Sequence, residues 1–287
     1  MPLLSLLKSL SNRLLVFQTL RCIVAVHPNT HHARTQETHV KPVLLITGAS
    51  RGIGAATAVL ASQQGWAVAV NYASNAPAAQ RVVQQIQDAG GTALAIQADV
   101  GDEAHILRMF AEIDAKLGRL SGLVNNAGVV DVTAKVQDQS WARWERMMRI
   151  NVLGSLACAR EAVRRMSTAH GGSGGSIVNV SSAAARLGAP NQYVDYAAAK
   201  GAIDSFTLGL AKEVAAEGIR VNAVRPGLIE TDIHASGGLP NRVRDLQHLV
   251  PMQRGGSADE VAQAIVWLLS DAASYTTMSL MDVSGGR

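Results

Sequence analysis

From Lys41 onward the chain alternates between short, almost continuously apolar runs and longer stretches patterned for helices. The runs are VLLIT (43–47), WAVAVNY (66–72), TALAIQ (92–97), LVNNAG (123–128), SIVNVSS (176–182) and IRVNAVRPG (219–227). The helical stretches between them are 52–64, 77–89, 102–117, 139–166, 193–217 and 257–270. Strands without polar alternation are buried on both faces, the habit of a parallel sheet covered by helices. Gly65, Gly90 and Gly218 fall just before strands, where a helix end favours a left-handed residue. Ser257-Ala-Asp-Glu260 predicts a capping box on the last helix. The glycine-rich 171–175 reads as a surface loop. The alternation predicts one α/β domain over residues 41–287, a doubly wound parallel sheet in three αβα layers with right-handed crossovers.

Residues 1–40 break the pattern. Met1–Val26 is leucine-rich and basic, and 27–40 is polar. Lys8 and Arg13 interrupt the apolar stretch, which argues against a secretory signal, whereas arginines with few acids suit a mitochondrial-type targeting segment. The simplest reading is a flexible extension, which leaves the domain cytoplasmic.

Composition narrows the class. With 48% hydrophobic and 17% charged residues, the 287-residue chain is too apolar for disorder. Two cysteines, Cys22 and Cys158, exclude a disulfide framework or a cysteine-rich zinc site. No run approaches the ~18 apolar residues that a membrane span needs. Of the net charge of +4, residues 1–40 hold +3 and the body only +1. A basic stripe for nucleic acid is therefore not indicated.

The first strand runs into Thr47-Gly-Ala-Ser-Arg-Gly-Ile-Gly54 and then a helix. Such a turn can be purely structural, or it can bring helix N-terminal amides against a phosphate. No Lys-Ser/Thr pair follows the last glycine, so a nucleoside-triphosphate loop is excluded. NAD-binding folds place an acid at the end of the second strand. Here that segment is Val70-Asn71-Tyr72-Ala73-Ser74-Asn75, and Arg51 in the turn is suited to a ribose 2′-phosphate. The combination favours NADP(H), with NAD(H) as the other option.

Tyr196 and Lys200 are spaced i, i+4 on a predicted helix, so phenol and ammonium share a face. An unperturbed phenol titrates near about pH 10. A neighbouring cation favours the phenolate and makes proton exchange with an alcohol or carbonyl oxygen feasible. Tyr193 lacks this partner, its i+4 residue being Ala197.

The ordered set of Thr47-Gly-x-x-x-Gly-Ile-Gly54, Asn125-Asn-Ala-Gly128, Asn151, Ser181-Ser182, Tyr196-x-x-x-Lys200 and Pro226-Gly227 followed by Thr231 closely resembles the short-chain dehydrogenase/reductase family. The similar branch includes 3-oxoacyl-carrier-protein reductases and bacterial sugar and alcohol dehydrogenases. The resemblance covers about residues 41–287 and implies a Rossmann-like fold and a hydride-transferring oxidoreductase acting on CH–OH and C=O groups. It implies Tyr196 as acid/base, Lys200 lowering its pKa and holding the nicotinamide ribose, Ser182 on the substrate oxygen, and Asn151 holding a relay water. For the cofactor it implies Gly48, Ser50, Arg51, Gly52, Ile53 and Gly54 in the turn and Asn71 on the second strand. Asp99 and Val100 would meet the adenine. Asn125, Ala127 and Gly128 would line the cleft, and Pro226, Gly227, Ile229 and Thr231 would hold the carboxamide. Ser182 precedes Tyr196 by 14 residues, one more than is usual in the family, which bears on substrate shape.

Other residues carry weaker signals. No histidine spacing points to a metal, and none is expected. His234 follows Thr231 in the expected substrate lid, Trp141 and Trp144 read as packing residues, and Cys158 reads as a buried small apolar side chain. Specificity is expected in 183–192 and in a mobile lid over about 232–256, neither with a distinctive signature. The family implies a homotetramer, with 102–117, 139–166 and the C-terminal tail at interfaces. The partner is a small carbonyl or alcohol substrate, with no nucleic acid and no membrane. The rival readings are a non-catalytic dinucleotide-binding sensor or scaffold, and an epimerase or dehydratase on the same fold.

Overall fold

The computed structural model describes residues 41–287; the expectations for 1–40, Cys22 among them, lie outside the described residues. Seven parallel strands form one sheet: β1 (Val43–Ile46), β2 (Ala67–Tyr72), β3 (Thr92–Gln97), β4 (Leu120–Asn125), β5 (Gly175–Val180), β6 (Ile219–Pro226) and β7 (Leu280–Val283). Their order is β3-β2-β1-β4-β5-β6-β7, so the winding reverses between β1 and β4. Crossovers from β1 climb one side and those from β4 the other, which opens a crevice at the strands' carboxyl ends.

Helices α1 (Gly52–Gln63), α2 (Ala76–Asp88), α3 (Glu103–Lys116), α4 (Trp141–Met148), α5 (Gly154–Met166), α6 (Ala184–Leu187), α7 (Val194–Val214), α8 (Ile233–Ser236), α9 (Arg242–Leu246) and α10 (Ala258–Leu269) complete the layers. Two apolar cores follow from the two sheet faces. One gathers Leu45, Phe110, Ile113, Leu123, Cys158 and Ile177, and the other Leu44, Ile46, Val70, Val124, Ile265 and Leu268. Leu44 and Leu45 are adjacent and both 0% exposed, on opposite faces, so the apolar run reflects burial on both sides. The Ser257–Glu260 capping box forms as its sequence predicts.

Three elements differ from the sequence pattern. The fourth strand starts at Leu120 and ends at Asn125, not at 128, because Asn126 is drawn out of the ladder by hydrogen bonds to the first turn. The predicted helix 139–166 is two helices joined by a π turn over Arg149–Leu153. The last strand, β7, is a four-residue edge that pairs only with β6.

Candidate active site

The glycine turn sits at the sheet's switch point. Gly48 has φ +62°, and a Cβ there would stand 2.9 Å from the Ala127 backbone. A Cβ on Gly54 would meet Asn126 Nδ2 at 2.5 Å. Asn126 Nδ2 donates to Thr47 O (2.8 Å) and Gly48 O (3.0 Å), and Thr47 Oγ1 accepts from the amides of Asn126 and Ala127. The turn and the β4 loop are thereby stitched into one surface. α1 begins after Arg51 with no side-chain cap, leaving its first amides free for an anion. Arg51 is exposed, Ser50 is half-buried, and Ile53 packs against the second core.

Other residues expected at the cofactor divide into two groups. Thr231 closes over the turn, its Cγ2 lying 3.3 Å from where a Gly52 Cβ would be. Gly227 donates to Val283 O and is packed against Ser284, so Pro226 and Gly227 are fixed between β6 and the C-terminal segment. Ile229 and Val100 are buried, and Asp99 Oδ1 accepts from the Gly101 amide at 2.8 Å. Asn71, by contrast, faces inward at 1% exposure. Its Oδ1 accepts from Gly48 N, and its Nδ2 donates to Ala98 O and Ile96 O. It braces the turn from behind, having no group left to reach a ribose. Asn125 likewise spends Nδ2 on Ser155 O and Asn179 Oδ1, while its Oδ1 is buried without a partner.

At the other end of the crevice the four polar residues converge. Ser182, whose Oγ accepts from Ala184 N, lies close enough to the Tyr196 phenol to lower its pKa, while Ser181 Oγ is buried on Lys200 O. Lys200 Nζ lies 5.6 Å from the Tyr196 ring centroid and donates to Val180 O at 2.7 Å. Gly128 is pressed against both partners: a Cβ there would be 2.8 Å from Asn151 Oδ1 and 3.6 Å from Lys200 Nζ. Asn151, fully buried in the π turn, accepts from Val129 N and donates to Val129 O and Met147 O. Its side chain thus fixes the Gly128–Val129 loop beside Lys200.

The electrostatics depart from the simple expectation for Tyr196. Burial pushes its phenol above the ordinary value, opposed by the neighbouring Ser182 hydroxyl and by the charge of Arg242. Burial also lowers the Lys200 ammonium, to about 8, with Asp204 one helical turn away opposing it. With a value of about 8, Lys200 still stands mostly as the ammonium at neutral pH, facing the Tyr196 ring.

Several contributors escaped the sequence reading. Arg143 and Asp195 form a buried bidentate ion pair immediately before Tyr196. Arg225 pairs with Asp204 at 2.8 Å. Gln192, Tyr193 and Arg242 meet at the lid. Only the acid flanking Tyr196 was a visible hint, since pairing across about fifty positions leaves no local pattern. Trp144 is anchored through Nε1 to Gln139, and Trp141 meets its ring edge to face at 6.2 Å while staying 70% exposed, so Trp141 is not the buried packing residue expected. Cys158 is buried, and burial pushes its thiol up to about 12. Among the described residues no cluster could hold a metal ion, and no helix is long and apolar enough to cross a membrane.

The glycines, the uncapped α1 and the orphaned Asn125 oxygen fit a dinucleotide laid across the switch point. Comparison with known proteins agrees with this layout. The sequence model of a family described as enoyl-(acyl carrier protein) reductase matches residues 48–287. The chain is 56% identical over 245 residues to the uncharacterized oxidoreductase YgfF of Escherichia coli K12, covering 85% of this chain and 99% of that one. It is 39% identical over 251 residues to the cis-4-hydroxycyclohexanecarboxylate dehydrogenase of Sinomonas cyclohexanicum, covering 87% and 98%. The solved short-chain dehydrogenase/reductase from Serratia marcescens superposes with a TM-score of 0.79 at 31% identity, covering 85% and 97%.

Proposed function

The chain belongs to the short-chain dehydrogenase/reductase family of oxidoreductases, and from that premise we propose that it interconverts an alcohol and the matching ketone or aldehyde with a nicotinamide cofactor. The observation that carries this reading is the convergence of Ser182 and Lys200 on Tyr196, with Gly128–Asn151 packed behind Lys200. The cofactor, when bound, supplies or takes up the hydride. In reduction, Tyr196 gives its proton to the substrate oxygen and Ser182 hydrogen-bonds that oxygen as charge develops. In oxidation the same phenolate takes the proton of the alcohol. The Lys200 ammonium steadies the phenolate and would hold the nicotinamide ribose when the cofactor is bound.

NADP(H) is the preferred form in this reading. The end of β2 offers no acid to a ribose, and Arg51 stands exposed at the start of α1. The Sinomonas relative is named for a cyclic secondary alcohol, which supports the CH–OH class. Exposed Leu107 on α3 and Leu153 ahead of α5 support a homotetramer built on those helices, which light scattering tests. The cytoplasm is the compartment proposed.

The decisive experiment follows oxidation of NADPH and of NADH against ketones, aldehydes, β-keto esters and quinones, with Tyr196→Phe as control. The expected result is turnover with NADPH that the variant loses while its NADPH affinity stays within about two-fold. Turnover retained in Tyr196→Phe would overturn the role given to the phenol.

A further inference from the structure

The lid places one cation at the mouth of this site. Arg242 opens α9, and its Nη1 donates to Gln192 Oε1 at 2.5 Å. Its guanidinium carbon lies 5.1 Å from the ring centroid of Tyr193, three residues before Tyr196. Tyr193 is 5% exposed, and its hydroxyl is buried without a hydrogen-bond partner. That hydroxyl lies 3.1 Å from where a Cβ on the lid residue Gly237 would be, and Val130 of the β4 loop packs on the same spot. Lid, β4 loop and the approach to α7 thus meet around Tyr193, with Arg242 stacked above it.

What distinguishes Arg242 is its company. The other half-buried or buried arginines of the site, Arg143 and Arg225, each pair with a carboxylate, and Arg186 on the substrate loop reaches Asp282. Among the described residues no Asp or Glu side chain forms an ion pair with Arg242. Its charge nevertheless registers at the phenols of Tyr193 and Tyr196 and at the Arg287 guanidinium, which burial and this like charge hold below its ordinary value. A half-buried guanidinium held only by neutral groups, the Gln192 amide and the Tyr193 ring, and standing beside a second cation, is an incomplete arrangement that an anion would complete.

We propose that Arg242, with the Gln192 amide and the Tyr193 hydroxyl beside it, binds a carboxylate carried by the substrate, so that the enzyme acts on oxo and hydroxy acids. A carboxylate suits the site because one planar guanidinium offers two parallel N–H groups to its two oxygens. The Gln192 side chain would turn to donate, and Tyr193 would donate its buried O–H. The anchor also orients the substrate, since holding the carboxylate at the lid fixes which carbon faces Tyr196 and Ser182. This inference rests on the reading of Tyr196 as the reacting centre, but anion binding by Arg242 stands or falls separately.

The test uses the full chain and a matched pair of ketones, 4-oxocyclohexanecarboxylate and its methyl ester, with NADPH. Wild type should favour the acid in kcat/KM by on the order of ten-fold or more, and Arg242→Met should bring the acid-to-ester ratio to about one, mainly through KM for the acid. Arg242→Lys should restore part of it. A second readout needs no turnover: calorimetric binding of cyclohexanecarboxylate to the NADP-loaded enzyme should weaken about ten-fold in Arg242→Met, and inorganic phosphate should not substitute. Arg242-dependent carboxylate binding with neither ketone reduced would leave the anchor standing and count against the proposed reductase. Equal loss for acid and ester in Arg242→Met, no preference in wild type, or phosphate binding in place of carboxylate would overturn the anchor.

Discussion

Arg143 reaches from α4 to Asp195, the residue directly before Tyr196, and grips it with Nε at 2.7 Å and Nη2 at 3.1 Å while Nη1 donates to Val132 O at 2.6 Å. Both side chains are under a tenth exposed, and the bond to Asp195 raises the Arg143 pKa. One guanidinium therefore fixes the helix turn carrying the phenol and the loop after β4. Asp195→Ala should leave a buried, unpaired guanidinium and cost ~3–5 kcal/mol in denaturant unfolding. Replacing both partners by apolar residues of similar volume should recover much of that stability but not the turnover, because the loop and the phenol lose their common reference. A double variant with wild-type kcat would show that the pair serves folding alone.

Arg51 stands exposed at the first turn of α1, where a 2′-phosphate would complete the uncapped amides. Arg51→Ala should raise KM for NADPH by on the order of ten-fold or more and leave KM for NADH nearly unchanged. Initial rates at varied cofactor concentration check this, and equal effects on both cofactors would remove Arg51 from 2′-phosphate recognition.

The sheet was legible in the sequence because both-face burial writes continuous apolar runs such as Leu44–Ile46, and the turn was legible because glycines at 48, 52 and 54 have few other uses together. The π turn at Arg149–Leu153 was hidden because a shift in backbone pairing leaves the side-chain pattern of 139–166 intact. Asn71 was misplaced for a related reason: its position on β2 is readable, but the direction of its amide depends on Gly48, Ile96 and Ala98. β7 was missed because three half-buried residues and one exposed aspartate on an edge make no periodic signal. Arg143–Asp195 and Arg242–Gln192 are long-range partnerships that only the fold creates.

Gly128 and Gly209 make a contrasting pair. A Cβ at Gly128 would press on Asn151 Oδ1 at 2.8 Å, and that oxygen is pinned by the Val129 amide, so neither can yield cheaply. Gly128→Ala should lower kcat by on the order of ten- to a hundred-fold through displaced Asn151 and Lys200. Gly209 is exposed in the interior of α7 with nothing within 4 Å of its would-be Cβ. Gly209→Ala should raise stability by ~0.5–1 kcal/mol and leave kcat unchanged. Urea unfolding and steady-state rates measure both, and a fully active Gly128→Ala would show that the loop's closeness to Asn151 is not needed.

Lys200 gives the fold a pH dependence whose sign is fixed by its burial. Its ammonium is lowered from 10.5 to about 8, so the native state sheds this proton more readily than the unfolded chain. Below about pH 8 both states hold the proton, and the cost of burying the charge is fully present. Between about 8 and 10.5 the unfolded chain binds more protons, so the contribution of Lys200 to stability rises with pH across that window. Lys200→Met removes the buried charge and should be more stable than wild type at pH 7, by on the order of 1–3 kcal/mol, while losing turnover. The difference should shrink toward zero by pH 10.5. Guanidinium midpoints of the two proteins at pH 7, 9 and 10.5 check this. A gap that widens with pH would mean that Lys200 is held more firmly in its charged form than its burial allows, by Val180 O and Asp204 together.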